Sequence, residues 1–138
     1  MTASLITLTS ERLNDTPLKD HWNGSLEDAV DTSGGGTEDE IALINVKGFG
    51  QMSFVVSNLK AEAGSLKFYA SNQPSIVLAA DLLTNYRFAL LGEAIAVDAS
   101  AKKTYHFDAC YSYILITFAK TGAGAESEQI MIDAEGTA

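Results

Sequence analysis

The sequence predicts an all-β protein, an antiparallel β-sandwich or jelly roll with an extended N-terminal arm. Three observations lead there. From residue 41 onward apolar residues recur with a period of two, the pattern of half-buried strands. The alternating runs are short and separated by turn residues at near-regular spacing, as in sandwiches. One run, YSYILITFAK (111–120), is apolar on both faces, which places it at the centre of a sheet covered twice.

The chain divides near residue 40 into a polar arm, 1–40, and a sandwich domain, 41–138. The arm opens on a single short β-like run, Leu5 to Leu8. No basic segment precedes that run, so a secretory signal is not expected. A polar stretch follows that contains Pro17, the lone Trp22 and DTSGGGTEDE (31–40). Three glycines among carboxylates resist regular structure, because ordering glycine costs entropy and like charges repel. Residues 9–40 therefore read as an extended arm or long loop. Trp22 is costly to leave in water. With Leu13, Leu18 and Leu26 spaced along the same segment, it reads either as packed back on its own domain or as an anchor on a neighbouring subunit.

In the domain, Ile41, Leu43 and Asn45 alternate with Ala42, Ile44 and Val46, giving the first strand. Met52, Phe54 and Val56 share one face of the next, and Leu66, Phe68 and Ala70 one face of a third. A short helical turn fits Leu78 to Leu83. IAVDAS (95–100) and KTYHFDA (103–109) continue the pattern, the latter with Tyr105 and Phe107 opposite His106 and Asp108. After the doubly apolar run, EQIMID (128–133) closes the set with Ile130 and Ile132 inward. Turn residues sit between the runs: Lys47-Gly-Phe-Gly50, Ala63-Gly64, Asn72-Gln-Pro74, Gly92, and Gly122 to Gly124.

Motifs for chemistry fail one by one. TGAGAES (121–127) has two glycines, but Ser127 stands where a dinucleotide fingerprint needs a third Gly or Ala, and no Gly-Lys-Ser/Thr follows. The next segment alternates as a strand rather than opening a helix, and Glu126 and Glu128 would repel an anion. The glycines therefore read as a hairpin turn. His21, His106 and the single Cys110 lack zinc spacing, so no metal is expected. His106 and Asp108 could orient an imidazole, yet no G-x-S-x-G accompanies them. Asp31, Glu38, Asp39 and Glu40 lack the calcium-loop pattern and read as a solvated loop. Neither a cofactor nor an enzymatic activity is expected. A net charge of −9 repels a phosphate backbone, so direct nucleic-acid binding is disfavoured. No apolar run is long enough for a membrane helix.

Two segments carry a resemblance: AGSLKFYASNQPS (63–75) and IAVDASAKKTYHFDACYSYILITFAKTGAG (95–124). From Gly48 onward the chain resembles small β-sandwich, discoidin-like structural proteins of tailed bacteriophage virions. The resemblance implies a non-enzymatic virion component, such as a head decoration, head fibre, neck or tail protein, assembled in the host cytoplasm. Its partners would be other virion proteins and copies of itself. Docking would use Trp22, Leu13, Leu18 and Leu26, while Tyr69, Tyr111 and Tyr113 on strand faces would extend a self-association surface. The alternative is a carbohydrate-binding jelly-roll module, with Tyr86 and Arg87, or Tyr111 and Tyr113, as its sugar platform.

Overall fold

A computed structural model describes residues 4–7, 12–13, 16–17, 19–25, 38–58, 64–79, 81–98, 102–108, 110–120 and 129–137, with side chains from Glu38 onward except at 39, 58, 97, 120, 129–131, 133 and 137. The elements in chain order are β1 (Ser4–Thr7), β2 (Arg12–Leu13), β3 (Thr16–Pro17), β4 (Lys19–Ser25), β5 (Glu38–Asn45), β6 (Gln51–Asn58) and β7 (Gly64–Ser71). Then come α1 (Leu82–Asn85), β8 (Ala89–Leu90), β9 (Ile95–Val97), β10 (Lys102–Phe107), β11 (Tyr113–Lys120) and β12 (Gln129–Thr137). Two sheets result. One runs β1-β5-β11-β7-β8, with β9 also on β7, and the other runs β10-β6-β12-β4. Every pairing in them is antiparallel except β1 with β5. The protein is an all-β sandwich, as the alternation predicts.

The doubly apolar run is β11, hydrogen-bonded to β5 on one side and β7 on the other. Ile114, Ile116 and Phe118 enter the layer between the sheets, where they meet Ile44, Met52, Phe54, Val56, Leu66 and Phe68. Tyr113 and Leu115 belong to a second cluster with Leu43, Ile76 and Leu82. The segment that carries Ile76 and α1 thus covers the outer face of β11, which explains why that strand has no polar side. Fully burying each such Leu, Ile or Phe contributes about 1.5–3 kcal/mol. A β-bulge between Ile116 and Thr117 of β11 leaves Ile41 without an opposite residue, since Ile116 faces Ala42 and Thr117 faces Glu40. Ile41 consequently joins Ala42 and Ile44 in the inner core.

The connections depart from the hairpin expectation. Strands β5, β7, β9 and β11 lie in one sheet, and β6, β10 and β12 in the other, so the chain repeatedly crosses between layers. In particular β12 does not pair with β11: it lies between β6 and β4. Residues 121–128, which include Gly122 and Gly124, lie outside the described residues, but the strands on either side of them belong to different sheets, so β11 and β12 do not form the hairpin that the sequence suggests. The physical reason is that both edges of β11 are already occupied, leaving no backbone for β12 to bond.

The N-terminal segment also departs from the arm reading. β1 pairs in parallel with β5, Leu5 opposite Leu43, and β4 pairs with β12, Trp22 opposite Ile132. Residues 4–7 and 19–25 therefore extend both sheets. Likewise the acidic end of DTSGGGTEDE is the start of β5, not a solvated loop, and Glu40 is only 8% exposed.

Three glycines meet local demands. Gly48 has φ 87°, and Phe49 N–H donates to Val46 O at 3.2 Å, a turn whose third residue needs positive φ. A Cβ at Gly64 would lie 2.1 Å from the Phe118 ring, and one at Gly136 would lie 2.5 Å from the Phe49 ring. Gly64 reads in sequence as a turn residue, but it is the first residue of β7, lying under a buried phenylalanine.

Candidate functional site

Two features stand out on the sandwich. The first is a polar network on the outer face of the larger sheet. Glu38 Oε1 accepts hydrogen bonds from Tyr69 Oη at 2.8 Å and from the buried Thr117 Oγ1 at 2.6 Å. Lys67 Nζ lies 3.8 Å from Glu38 Oε2. Burial, reinforced by the hydrogen bond to Glu38 and its charge, pushes the Tyr69 hydroxyl up to about 12. One β-pleat away, Glu40 accepts from Leu82 N–H at 2.8 Å and Leu83 N–H at 2.9 Å. These are orphan donors of the first turn of α1, which its own N-cap residue, Asp81, leaves uncapped by any side-chain bond. Glu40 thereby ties the covering segment to β5.

The second feature is a cleft of about 680 Å³ at the open side of the sandwich, where β9 of one sheet faces β10 of the other. Its walls include Phe68, Leu91, Ile95, Tyr105, His106 and Phe107. Phe68 stacks obliquely on Tyr105 and Phe107, with centroids 4.7 and 5.3 Å away. The Tyr105 hydroxyl is the one buried side-chain polar atom without a partner among the described residues, and burial raises its pKa.

The residues singled out in sequence are scattered over the sandwich. His106 Nε2 lies 2.8 Å from Asp108 Oδ1 on the exposed face of β10. Ser53 is opposite His106 across the β10–β6 pair, but the imidazole bonds to Asp108 and not to the Ser53 hydroxyl. The pair is open to water, where its coupling is screened. Cys110 is a free, exposed thiol. Among the described residues no group of three His, Cys, Asp or Glu could hold a metal ion, and no helix is long and apolar enough to cross a membrane.

The tyrosines do not form a common surface. Tyr113 is 6% exposed, packed beneath the covering segment with Lys47 Nζ 4.9 Å from its ring centroid, so it is unavailable for self-association. Tyr69 is spent on Glu38, and Tyr111 packs against the inner core. The proposed sugar-platform pair, Tyr86 and Arg87, lies in the covering segment, Tyr86 half-buried and Arg87 exposed. The Tyr86 hydroxyl accepts from Val77 N–H at 3.0 Å, and Arg87 N–H donates to Gln73 Oε1 at 2.6 Å, fastening the covering segment. Of the docking residues, Leu13 and Trp22 are placed by their backbones on β2 and β4, with side chains outside the described residues. Leu18 and Leu26 lie outside the described residues altogether. The cleft had a partial signature in sequence, the alternation of Tyr105 and Phe107. Its other wall comes from residues 91–96 and could not be assigned to it without the fold.

No family model matches the chain, and no curated protein matches it. Among solved structures, the chain is similar to the SPBc2 prophage-derived protein YomS, at 13% identity and TM-score 0.42, covering 85% of this chain and 95% of that one. It is also similar to CorA, described as a surface-associated copper-binding protein of Methylomicrobium album BG8, at 9% identity and TM-score 0.49 over 98% of both chains. A third likeness is to a chain of infectious bursal disease virus, Gx strain, at 8% identity and TM-score 0.39, covering 84% of this chain and 32% of that one.

Proposed function

We propose that the chain is a non-enzymatic structural protein of a bacteriophage virion, a head decoration, head fibre, neck or tail component that acts by docking on a shell or on neighbouring subunits. The observation that carries this reading is where the phage-like segments fall. Ala63 to Ser75 forms β7 and its exit, while Ile95 to Gly124 contains β9, β10 and β11. The resemblance therefore coincides with the centre and one side of a single sandwich. Its partners are other virion proteins, and its place is the assembled particle. Trp22 is the proposed anchor, with Leu13, Leu18 and Leu26 beside it. Because β1 and β4 are paired into both sheets, the test keeps the full chain instead of deleting residues 1–40.

The test is made on particles from the phage or prophage whose genome encodes the chain. Mass spectrometry of gradient-purified particles is expected to find it at a fixed ratio to the shell protein. Trp22→Ala is expected to lower that ratio while the soluble protein stays folded. A chain recovered only from the soluble lysate, never with particles, overturns the reading.

A further inference from the structure

The strand β10 ends the four-stranded sheet: it pairs with β6, and no other described strand lies along its outer edge. Every second residue of this six-residue strand thus directs its N–H and C=O away from β6, where no described strand meets them, a template for another strand. We propose that this edge pairs with β10 of a second copy across a twofold axis, joining two four-stranded sheets into one of eight. This deepens the docking reading, on which it rests for its biological setting, by naming a self-association surface other than the tyrosines.

Strand geometry restricts how two identical edges can meet. In an antiparallel pair, residues directly opposite share both the face of the sheet and the direction of their backbone groups. Both properties alternate along a strand, so two copies can pair only residues of equal parity, and the numbers of each opposed pair sum to an even constant. Side-chain charge then selects among the few constants. At 204 Lys102 meets its own copy, and at 206 Lys103 does; like charges directly opposed destabilise. At 208 Lys102 faces the imidazole of His106. At 212 the two copies of His106 meet and neither lysine gains a carboxylate.

At 210 Lys102 faces Asp108 of the second copy at both ends of the ladder. Between them Thr104 faces His106, Lys103 faces Phe107, and Tyr105 meets its own copy on the twofold axis. Lys102, Lys103, Thr104, His106 and Asp108 are all exposed, so these contacts need no opening of the core. Asp108 lies within reach of its own His106 at 2.8 Å, and its second oxygen is available to the incoming lysine. Tyr105 and Phe107 are half-buried and border the open side of the sandwich. The twofold sets their exposed edges against each other and against the aliphatic stem of Lys103. Edge lysines commonly guard against strand pairing. Here they guard against the wrong registers and favour one.

The test is the oligomeric state of the full chain by light scattering and analytical ultracentrifugation, with hydrogen exchange across a dilution series. A dimer is expected whose formation slows amide exchange within residues 102–107 as concentration rises. Lys102→Asp, which sets carboxylate against carboxylate twice, is expected to raise the dimer Kd about tenfold. The double variant Lys102→Asp/Asp108→Lys, which restores both pairs with reversed sign, is expected to recover it. Both substitutions are on the surface, and thermal melts at low concentration check that the monomer fold is intact. A chain that stays monomeric at high concentration overturns the proposal and leaves the particle-docking reading standing. So does a dimer whose Kd ignores Lys102→Asp and whose β10 exchange ignores concentration. Conversely, a β10 dimer absent from particles sinks the virion reading alone.

Discussion

Glu40 offers the sharpest test of how the covering layer is held. Its carboxylate accepts two backbone hydrogen bonds, 2.8 Å from Leu82 and 2.9 Å from Leu83, in a position 8% exposed. Hydrogen bonds to a charged group contribute about 1.5–3 kcal/mol each, and a buried donor left without an acceptor costs in the same range. Leu83 is half-buried, so water can recapture its N–H, whereas Leu82 is fully buried and its N–H cannot be reached as readily. Glu40→Ala should therefore lose about 3 kcal/mol, the lower part of the sum for two bonds. With a urea m-value of about 2 kcal/mol/M, the midpoint falls by about 1.5 M. Glu40→Gln keeps one acceptor oxygen and should fall between. Amide exchange at Leu82 to Tyr86 should accelerate in the alanine variant before that of β11, because the tether fails locally first. A loss under about 0.5 kcal/mol, or unchanged exchange over α1, would refute the reasoning.

Other expected outcomes are smaller in scope. Gly64→Ala drives a methyl into the ring of Phe118, which is 1% exposed and has no room to retreat; a loss of about 1–3 kcal/mol in denaturant melts is expected, and a neutral result contradicts the close approach. Tyr69, with its hydroxyl pushed up to about 12, is protonated in the fold while the unfolded chain ionises near pH 10. Its contribution is complete below pH 10 and is lost as pH climbs to about 12; partial exposure reduces it to about 1 kcal/mol, and Tyr69→Phe should flatten that alkaline limb of the stability profile. Tyr105→Phe removes a buried hydroxyl that has no partner among the described residues, so stability of the monomer should hold or rise by about 1 kcal/mol; a marked loss in thermal melts means the hydroxyl is satisfied.

The sequence by itself determined the class of structure and most of what faces inward. Period-two alternation is a local property of the chain, and Met52, Phe54 and Val56, or Leu66, Phe68 and Ala70, are buried where it puts them. The two-sided apolarity of β11 was enough to mark the central strand of a covered sheet. Partnership was not legible. Turn residues such as Lys47-Gly48 say where a strand stops, but not whether the next one bonds beside it or crosses to the opposite layer. That choice depends on which edges are already occupied, a property of the assembled sheets. For the same reason polarity misplaced the N-terminal segment: its backbone hydrogen bonds to β5 and β12 are indifferent to side chains. Glu38 and Glu40 look like solvated carboxylates in the string DTSGGGTEDE. Folding brings the hydroxyls of Tyr69 and Thr117 and the first-turn N–H groups of α1 from residues far along the chain, and these make a half-buried Glu38 and a buried Glu40 tolerable on the covered outer face of the sheet.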